Sequence, residues 1–370
     1  MGVIIGLFPE LLAPGGIQRV SRHVGAVLAA IALERGLGYC FLSLNDPLGL
    51  HRVRVADDEF SVSGFSRAKL RFVLAALRSV RRRPALVVAA HVHLAPVAWA
   101  MKMRAPRLRV VVLTHGIEVW QPLSRLRRWA LRRADLVLAP SADTAHQLAT
   151  KQGVSPEKIC QMAWGLDPQF SALLGASENK HLPAGFPAGR VVLTVGRWAA
   201  SERYKGVDTL IAAVRHLLPA VPDLFLVAVG EGDDRGRLEQ LAAELGVSGH
   251  VRFLSALTQQ ELLACYRRCD VFALPSRGEG FGLVFLEAMA NGKPVIGPRF
   301  GAPSEFIRHG EHGLLVDPED IAGVAQAVID LLTSPELAAH MGQAGKQKVT
   351  QEYSYNRFCE RLRQALSELT

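Results

Sequence analysis

The sequence predicts an α/β protein made of two Rossmann-like, doubly wound domains that face each other across a cleft. Two observations carry this prediction. Short apolar segments alternate with amphipathic helical stretches in two successive series, which is the pattern of a parallel sheet covered by helices on both faces. In addition, a chain of 370 residues exceeds what one hydrophobic core usually serves, so two domains are expected.

The composition is that of an ordinary globular protein, with 49% hydrophobic and 21% charged residues, rather than that of a disordered or membrane-spanning chain. The sequence contains no low-complexity segment and no repeat of about 20 to 50 residues, which excludes a solenoid.

The first series of elements fills residues 1–180, which we assign to an N-terminal domain. Its short apolar runs are expected to be strands, and its two longest amphipathic stretches are expected to be helices. The expected strands are 3–8, 39–44, 85–90, 109–113 and 136–139, and the expected helices are 18–34 and 67–80.

The second series follows a stretch, residues 168–189, that loses periodicity and collects Ser, Pro, Gly and Asn as a linker does. We assign residues 186–352 to the second domain and expect a closing helix at about 355–370. The expected strands are 191–195, 224–229, 251–254, 271–274, 294–296 and 313–316. The expected helices are 208–218, 235–245, 259–267, 283–290 and 321–332.

Positive charge is concentrated in the first domain. Residues 1–170 hold 23 Lys and Arg against 11 Asp and Glu, whereas residues 171–370 hold 20 against 23. Basic residues flank the apolar stripe of Leu70, Val73, Leu74 and Leu77, which suits a helix resting on anionic lipid headgroups. A solvated basic face with its stripe in the core fits the same pattern, and both interpretations stay open. No zinc-finger or RNP-type motif accompanies the charge, so nucleic acid is not an expected partner.

We expect a cytoplasmic location, on the inner face of the membrane if the basic helices bind lipid. No apolar run approaches the roughly 20 residues that cross a bilayer, and the first eight residues lack the basic start of a signal peptide. The five cysteines are scattered and lack metal-ligand spacing, which indicates a reducing compartment.

Two glutamates, Glu279 and Glu287, bracket a glycine loop and the first turns of a helix. Gly280 and Gly282 let the backbone turn tightly and approach a ligand, and free amides at a helix start favour an anion such as phosphate. Carboxylates bind hydroxyl groups. The stretch therefore suits a sugar joined to a nucleoside diphosphate, although an ordinary strand-to-helix turn can also carry glycines.

The spacing of Glu279 and Glu287 resembles the Glu-x7-Glu signature of retaining glycosyltransferases of the GT4 family, which have the GT-B fold. The resemblance implies that Glu279 holds hydroxyls of the transferred sugar and that Glu287 takes the ribose hydroxyls. It also implies that the first domain lies on the acceptor side and that the closing helix packs back on it. Four further residues of the loop would contribute to donor binding: Gly280, Phe281, Gly282 and Leu283.

Val195-Gly-Arg197, followed by Tyr204-Lys-Gly206, resembles the family pattern that holds the donor diphosphate. Arg197 would then fork onto phosphate oxygens, and Lys205 would add a point charge. The chain departs from the pattern by carrying seven residues between Arg197 and Lys205, more than the family commonly shows.

Ligands of open parallel sheets bind beyond the carboxyl ends of the strands, and three other places in the sequence lie at expected strand ends. The family resemblance implies the roles given below for His115 and for the loop of Ser255 and Leu257, whereas Gly15 and Gly16 are proposed for their open backbone. His115, after the strand 109–113, would hydrogen-bond the transferred sugar or help to stabilise the transition state. Gly15 and Gly16, after the first strand, would approach donor phosphate or acceptor. Ser255 and Leu257 would pass the nucleotide base.

Other stretches match the family less closely. Residues 301–305 and 313–317 are similar to the family sequence, whereas Trp164-Gly-Leu-Asp167 stands where the family often has Asn-Gly-Val-Asp. Gly230-Glu-Gly232-Asp-Asp234 lacks the spacing of a dinucleotide fingerprint, which argues against NAD.

The sequence contains no Asp-x-Asp motif of the kind that metal-dependent glycosyltransferases use. Asp57-Asp58-Glu59 and Asp233-Asp234 are interpreted as solvated loop or helix-start charges. We therefore expect neither a metal nor a cofactor, only a GDP- or UDP-linked sugar as donor substrate.

The resulting expectation is a retaining, metal-independent transfer of a hexose from a nucleoside diphosphate sugar to a saccharide or lipid-linked acceptor. No side chain is nominated as a covalent nucleophile. Two alternatives stay open at this point: a sugar-nucleotide epimerase on the same architecture, and a non-catalytic partner protein that keeps the fold.

Overall fold

The structure, a computed structural model, describes residues 2–175, 181–367 and 369. It divides into two compact α/β units. Unit 1 comprises Met1–Gln169 and Tyr355–Thr370, and unit 2 comprises Phe170–Ser354. The predicted class of two Rossmann-like domains is confirmed.

Unit 1 is built on an eight-stranded sheet in the order β3-β4-β2-β1-β5-β6-β7-β8. All neighbours run parallel except the antiparallel hairpin of β3 and β4. The strands are β1 (Val3–Phe8), β2 (Gly38–Ser43), β3 (Gly49–Val55), β4 (Asp58–Gly64), β5 (Pro84–Ala89), β6 (Arg109–Leu113), β7 (Leu136–Ala139) and β8 (Ile159–Gln161). The helices are α1 (Gly16–Glu34), α2 (Lys69–Ser79), α3 (Ala95–Arg104), α4 (Arg125–Arg132), α5 (Ala142–Thr150) and, from the end of the chain, α14 (Tyr355–Leu366).

Unit 2 is built on a six-stranded, entirely parallel sheet in the order β11-β10-β9-β12-β13-β14. The strands are β9 (Arg190–Val195), β10 (Leu224–Val229), β11 (Val251–Leu254), β12 (Val271–Ala273), β13 (Val295–Pro298) and β14 (Gly313–Val316). The helices are α6 (Pro168–Gly175), α7 (Val207–Leu217), α8 (Arg235–Glu244), α9 (Gln259–Arg268), α10 (Leu283–Ala290), α11 (Pro303–Phe306), α12 (Ile321–Thr333) and α13 (Pro335–Glu352). The bounds of α6 begin two residues before the unit boundary.

Each sheet has a point where the strand order reverses. In unit 2 it lies between β9 and β12, and in unit 1 it lies between β1 and β5. Such switch points leave a crevice beyond the carboxyl ends of the two strands, which is where open α/β sheets bind ligands.

The two cores follow directly from the sequence. The central strands are almost continuous apolar runs, as expected for strands that are covered on both faces; all six residues of β1 are buried. Helices bury one stripe each, such as Leu210, Ile211 and Val214 of α7 against the sheet of unit 2. A corresponding cluster fills unit 1 around β1, β5 and β6.

Several local expectations were wrong. The β3–β4 hairpin was not expected: Ala56 and Asp57 form its turn, and Asp58 and Glu59 are the exposed first residues of β4 rather than part of a loop or helix. The region 168–189, expected to be a linker, contains α6 before residues 176–180, which lie outside the described residues. The long helix α13 also escaped the periodicity analysis.

Within the part of the chain that the structure describes, no single helix is both long and apolar enough to cross a membrane. One bent pair, Ile321–Thr333 with Pro335–Leu366 at 98°, meets the length and composition requirements only when its two parts are joined.

Candidate active site

The candidate donor site of unit 2 lies at the switch point between β9 and β12. The loop after β9 carries Arg197 and Lys205, and the loop after β12 carries Glu279. Because these strands are direct neighbours, their carboxyl ends place the two loops side by side. The topology therefore brings together three residues that are far apart in the sequence.

The two loops are joined through their backbones. The amide of Arg277 donates a hydrogen bond to the carbonyl of Tyr204 over 2.5 Å. Gly206 has a left-handed φ of 73°, and a Cβ atom there would lie 2.1 Å from the carbonyl oxygen of Pro275. Only glycine fits such a conformation at such a close approach, so Gly206 fixes the position of Lys205 against the second loop.

The cationic side chains Arg197 and Lys205 meet at a third residue, Glu202. The Lys205 ammonium lies 2.9 Å from Oε2 of Glu202, and the guanidinium of Arg197 pairs with its other oxygen. Lys205 is largely buried, and this burial lowers its pKa, whereas the charge of nearby Glu279 opposes the shift. Arg197 remains 70% exposed.

Glu279 faces Lys205 from the neighbouring loop. Burial raises the pKa of the Glu279 carboxyl, and the positive charge of Lys205 opposes that effect. Among the described residues, its Oε2 atom is buried and has no hydrogen-bond partner. A buried carboxylate oxygen of this kind is costly unless a ligand satisfies it, and a sugar hydroxyl has the required donor.

The glycine loop leads into α10. Gly282 adopts a left-handed φ of 95° at the N-cap position, and a Cβ there would lie 2.8 Å from the ring of Phe285. Within the described residues no side chain caps α10. The backbone amides that start at Leu283, at the positive end of the helix dipole, can therefore bind an anion. Gly280 is buried beside them.

Phe281 contributes its backbone rather than its ring to this loop. Its side chain is buried and packs on Phe306 and Tyr353, with ring centroids 5.5 and 6.3 Å apart. The ring therefore anchors the glycine loop to the body of unit 2.

Glu287 lies one helical turn further into unit 2 and is only 1% exposed. Its Oε2 atom accepts a hydrogen bond of 2.8 Å from the hydroxyl of Tyr266, a fully buried residue on α9. The sequence did not indicate this role of Tyr266, because the residue lies on the apolar face of a helix, where an aromatic side chain is usually part of the core.

The predicted base-contacting residues Ser255 and Leu257 follow β11, two strands away from β9. Their loop is held by Glu231, which accepts from the amide of Ala256 over 3.0 Å. Ser255 itself is exposed and lies 3.4 Å from a guanidinium nitrogen of Arg235.

Asp234 is a correction to the sequence interpretation. It lies at the start of α8, as one of the two expectations had it, but it is 5% exposed rather than solvated and pairs with Arg203 at 2.8 Å and with Arg237 at 2.6 Å. The hydrogen bond from Arg237 has the largest effect on the pKa of Asp234 and lowers it, and Arg203 lowers it further. Burial acts in the opposite direction, but the net shift of the pKa is downward. The pair with Arg203 ties the loop after β9 to the start of α8.

Unit 1 contains the remaining predicted site residues, Gly15, Gly16 and His115. Gly15 has a φ of 139° and caps α1, which begins at Gly16. The loop before them is fixed by the buried Asp46, whose carboxylate accepts from the amides of Leu11 and Leu12 at 2.9 and 3.0 Å. This loop follows β1 and so borders the switch point of the first sheet.

His115 follows β6 and is buried. Its Nε2 atom lies 2.8 Å from the carbonyl oxygen of Ala90, and its backbone amide donates to Glu118 over 2.6 Å. Because a carbonyl oxygen can only accept, Nε2 must carry the proton. When Nδ1 carries no proton it is an acceptor, which suits a sugar hydroxyl better than a developing anion.

His91 and His93 were given no role by the sequence analysis, yet they follow β5 and adjoin His115. The ring of His91 stacks on His115 at 5.6 Å and meets His93 at 4.4 Å. Burial lowers the pKa of His91 to about 3, assisted by His115, His93 and Arg127. The strand-end rule that selected His115 applies equally to the end of β5 and would have found both.

Trp164 and Asp167 are buried in unit 1. The ring of Trp164 packs near His115 at 5.8 Å and near Phe358 of α14 at 6.1 Å. Asp167 lies 3.7 Å from His23 and 3.9 Å from Arg19. Burial favours a raised pKa for Asp167, but the proximity of His23 and Arg19 lowers it to about 2.

Metal ligands are not grouped in the described part of the chain, where no three His, Cys, Asp or Glu residues are placed to hold one ion. All five cysteines are free.

Comparison with known proteins identifies the family in both units. Residues 184–348 match the family described as glycosyl transferases group 1, and residues 14–170 match the family described as glycosyltransferase family 4. The chain is 35% identical over 276 residues to a GDP-mannose-dependent alpha-(1-6)-phosphatidylinositol monomannoside mannosyltransferase of Mycolicibacterium smegmatis, which covers 71% of each chain. It is 28% identical over 357 residues to an N-acetyl-alpha-D-glucosaminyl L-malate synthase of Bacillus anthracis, covering 92% of this chain and 90% of the other.

Solved structures support the fold. A sucrose-phosphate synthase from Thermosynechococcus elongatus superimposes with a TM-score of 0.76 at 22% identity, covering 100% of this chain and 99% of that one. The family matches and the similarity to the mannosyltransferase lead to the same assignment. The chain belongs to the group 1, GT4-like glycosyltransferases.

Proposed function

We propose that this glycosyltransferase moves a hexose from a nucleoside diphosphate sugar to a saccharide or lipid-linked acceptor, with retention at the anomeric carbon and without a metal. The observation that carries the proposal is the convergence of Lys205 and Arg197 with Glu279 at the switch point of unit 2. The first two residues offer positive charge to a diphosphate, and the third offers a buried carboxylate oxygen to the sugar.

The donor would lie with its diphosphate between the loop after β9 and the start of α10. Arg197 would bind phosphate oxygens through two parallel N–H groups, and Lys205 would act as a point charge. The amides that start at Leu283, behind the uncapped Gly282, would add partial positive charge. These groups meet the charge that develops on the leaving phosphate, which is electrostatic catalysis by fixed donors.

Bond breaking at the anomeric carbon would lead to an oxocarbenium-like state. Glu279 would hold hydroxyls of the donor sugar, and the departing phosphate would accept the proton of the acceptor hydroxyl from the same face. The configuration is then retained without a covalent sugar intermediate on the protein. In unit 1, His115 would accept a hydrogen bond from a sugar hydroxyl through Nδ1, and the backbone of Gly15 and Gly16 would approach donor phosphate or acceptor.

Glu287 would take the ribose hydroxyls, and the loop at Ser255 and Leu257 would pass the base. The donor nucleotide is proposed to be GDP or UDP. The mannosyltransferase relative is named for GDP-mannose and for a phosphatidylinositol monomannoside, which favours GDP-mannose as the first donor and a glycolipid as the first acceptor to test.

Thermal-shift measurements with UDP, GDP, ADP and their sugars provide the first experiment, since a ligand that binds only the folded state raises its stability. The donor that shifts the midpoint is then incubated with glycolipid and free-sugar acceptors, and the anomeric configuration of the product is read by NMR. Retention supports the proposal, whereas an inverted product contradicts it. Epimerised donor formed without acceptor would indicate the epimerase, and a protein that binds no nucleotide would be a non-catalytic member of the family.

A peripheral position on the cytoplasmic face of an anionic membrane is part of the same proposal. Helices α2, α3 and α4 of unit 1 pack side by side and carry the exposed side chains Leu70, Met103 and Leu126. Leu70 is 73% exposed, and the three lie among basic residues of the same helices. Exposed apolar groups with flanking positive charge bind anionic membranes in two ways: the apolar groups enter the interface, and the positive charges attract the headgroups.

Vesicle co-sedimentation tests this surface. Vesicles containing anionic phospholipid should sediment the wild-type chain at low salt, and Leu70→Gln with Met103→Gln should abolish the effect. Leu33→Gln is the matched control, because Leu33 is a strongly exposed leucine on α1 of the same unit. Failure of the wild-type chain to sediment at any salt concentration contradicts the membrane role but leaves the transfer reaction untouched.

A further inference from the structure

The loop between Arg197 and Lys205 contains a residue that the family pattern does not explain. The residue is Glu202. The extra length of the loop folds into the 3-10 helix Ala200–Lys205, and at Glu202 the backbone is non-helical, with φ −120° and ψ 24°. The Glu202 side chain is only 11% exposed.

The Glu202 carboxylate spans the two cations assigned to the donor diphosphate. One oxygen pairs with the guanidinium of Arg197, and the other lies 2.9 Å from the Lys205 ammonium. These are the contacts that two phosphate oxygens would make with the same side chains. A carboxylate of the chain itself therefore makes the contacts with these two cations that an anionic ligand would make.

The position of Glu202 is built into unit 2. On one side Ala200 donates its amide to Asp233 over 2.7 Å, and on the other Arg203 pairs with the buried Asp234 at 2.8 Å. The carbonyl of Tyr204 accepts from Arg277 of the neighbouring loop. Anchors before and after Glu202 thus hold the short helix in the register that points its carboxylate at both cations.

Phosphate and Glu202 cannot share these cations without cost. A diphosphate placed at Lys205 would lie within a few ångströms of the Glu202 carboxylate, and two like charges at that separation repel each other. A second carboxylate, that of Glu279, already faces Lys205. Removing Glu202 from the cations therefore relieves repulsion but also breaks two ion pairs.

We propose that Glu202 is an internal counter-ion that the donor diphosphate must displace, and that it thereby sets the affinity of the site for nucleoside diphosphates. The inference rests on the proposed function, because it takes Arg197 and Lys205 as the diphosphate contacts. The opposite role, a clamp that stays in place and orients both cations for the ligand, predicts an effect of opposite sign.

Titration calorimetry with the full chain distinguishes the two. GDP and UDP are titrated into the wild type, Glu202→Gln and Glu202→Ala, and guanosine and uridine serve as ligands without phosphate. Displacing partly exposed ion pairs costs little each, so both variants should bind the diphosphate about five- to tenfold more tightly than the wild type. Affinity for the nucleosides should not change.

Glu244→Gln is the matched control, since it removes the same charge from an exposed position on α8 of the same unit. It should bind GDP and UDP as the wild type does. Glu202→Asp keeps the charge on a shorter side chain and should fall between the wild type and Glu202→Gln. If Glu202→Gln does not fold, the sign is read from Glu202→Ala or Glu202→Asp.

Equal or weaker diphosphate binding by the folded Glu202 variants overturns the counter-ion role and leaves the proposed function standing. Tighter binding of nucleosides and diphosphates alike also overturns it, because the effect then does not come from the phosphates. If neither GDP nor UDP binds the wild type or any variant, the proposed function fails and this inference fails with it.

Discussion

The hydroxyl of Tyr266 donates a 2.8 Å hydrogen bond to Oε2 of Glu287, and both side chains are buried in unit 2. A carboxylate in such a place requires donors, because an unsatisfied buried acceptor costs the full desolvation of that group. Tyr266 is held in turn by ring contacts with Phe170 and Phe272, at 5.9 Å each. The pair thus fixes the orientation of the second glutamate of the signature.

Tyr266→Phe removes this hydroxyl and preserves the ring. We expect the free energy of unfolding to fall by about 1 kcal/mol, the usual net contribution of one intramolecular hydrogen bond. If Glu287 takes the ribose hydroxyls, the Kd for GDP or UDP should also rise, while the Kd for the 2′-deoxy nucleotide should change less. Denaturant unfolding and calorimetry provide the two readouts.

Tyr39→Phe is the control for this prediction, because the Tyr39 hydroxyl accepts from the amide of Ser61 in unit 1. It should affect stability without affecting nucleotide binding. Equal losses of affinity for ribo- and deoxynucleotides in Tyr266→Phe would show that Tyr266 acts on packing alone.

Gly206→Ala tests the close contact between the two loops of the donor site. Gly206 and Gly246 have nearly equal left-handed φ values of 73° and 71°, but only Gly206 has a backbone atom where the Cβ would lie. Gly246→Ala should therefore cost about 1 kcal/mol for its backbone conformation alone. Gly206→Ala should cost at least about 3 kcal/mol, because the loop of Pro275 must also move.

Chemical denaturation measures both glycine variants under identical conditions. A cost for Gly206→Ala no larger than that for Gly246→Ala would mean that the loops are not in contact in solution. The same displacement should weaken nucleotide binding, because Lys205 directly precedes Gly206.

The buried ring of His91 should make the stability of the protein depend on pH. Burial, with the neighbouring His115, His93 and Arg127, lowers its pKa to about 3 in the folded chain, against about 6.5 when unfolded. Below about pH 6.5 the unfolded chain binds a proton at His91 that the folded chain does not bind. The free energy of unfolding therefore keeps its full contribution from His91 above this pH and falls on acidification. The contribution has a slope of about 1.4 kcal/mol per pH unit until about pH 3.

His91→Asn keeps an acceptor for the amide of His93 and removes the titrating ring. Unfolding measured between pH 7 and 4 should show a shallower loss of stability in this variant. His146→Asn, on the exposed face of α5, should keep the slope of the wild type. Parallel profiles for the wild type and His91→Asn would contradict the burial of a neutral ring.

The elements of both sheets were predictable where a strand is covered on both faces. β1, β9 and β10 are nearly pure apolar runs, and such runs between turn residues have few other interpretations. The hairpin of β3 and β4 failed the same test, because it lies at the edge of the sheet and alternates exposed and buried residues, as in His51-Arg-Val-Arg-Val55. That alternation is itself the pattern of a strand with one buried face.

The site residues divide along a similar line. Arg197, Lys205 and Glu279 follow strands, so their places could be deduced once the strands were known. Glu202 and Asp234 could not, because their roles depend on how one short helix turns and on what it meets across the fold. Sequence patterns report which residues share an element, whereas ion pairs across loops appear only when the elements are assembled.

The central claim is that Glu279 and Lys205 act together on one activated sugar in unit 2. Turnover of Glu279→Gln and Lys205→Ala tests it most directly, measured with the donor that the thermal shifts identify, beside the controls Glu244→Gln and Lys151→Ala. We predict that both site variants fold and that kcat falls about a hundredfold or more, equivalent to about 3 kcal/mol of transition-state stabilisation, while the controls keep wild-type rates. Near-native turnover in either site variant would contradict the account.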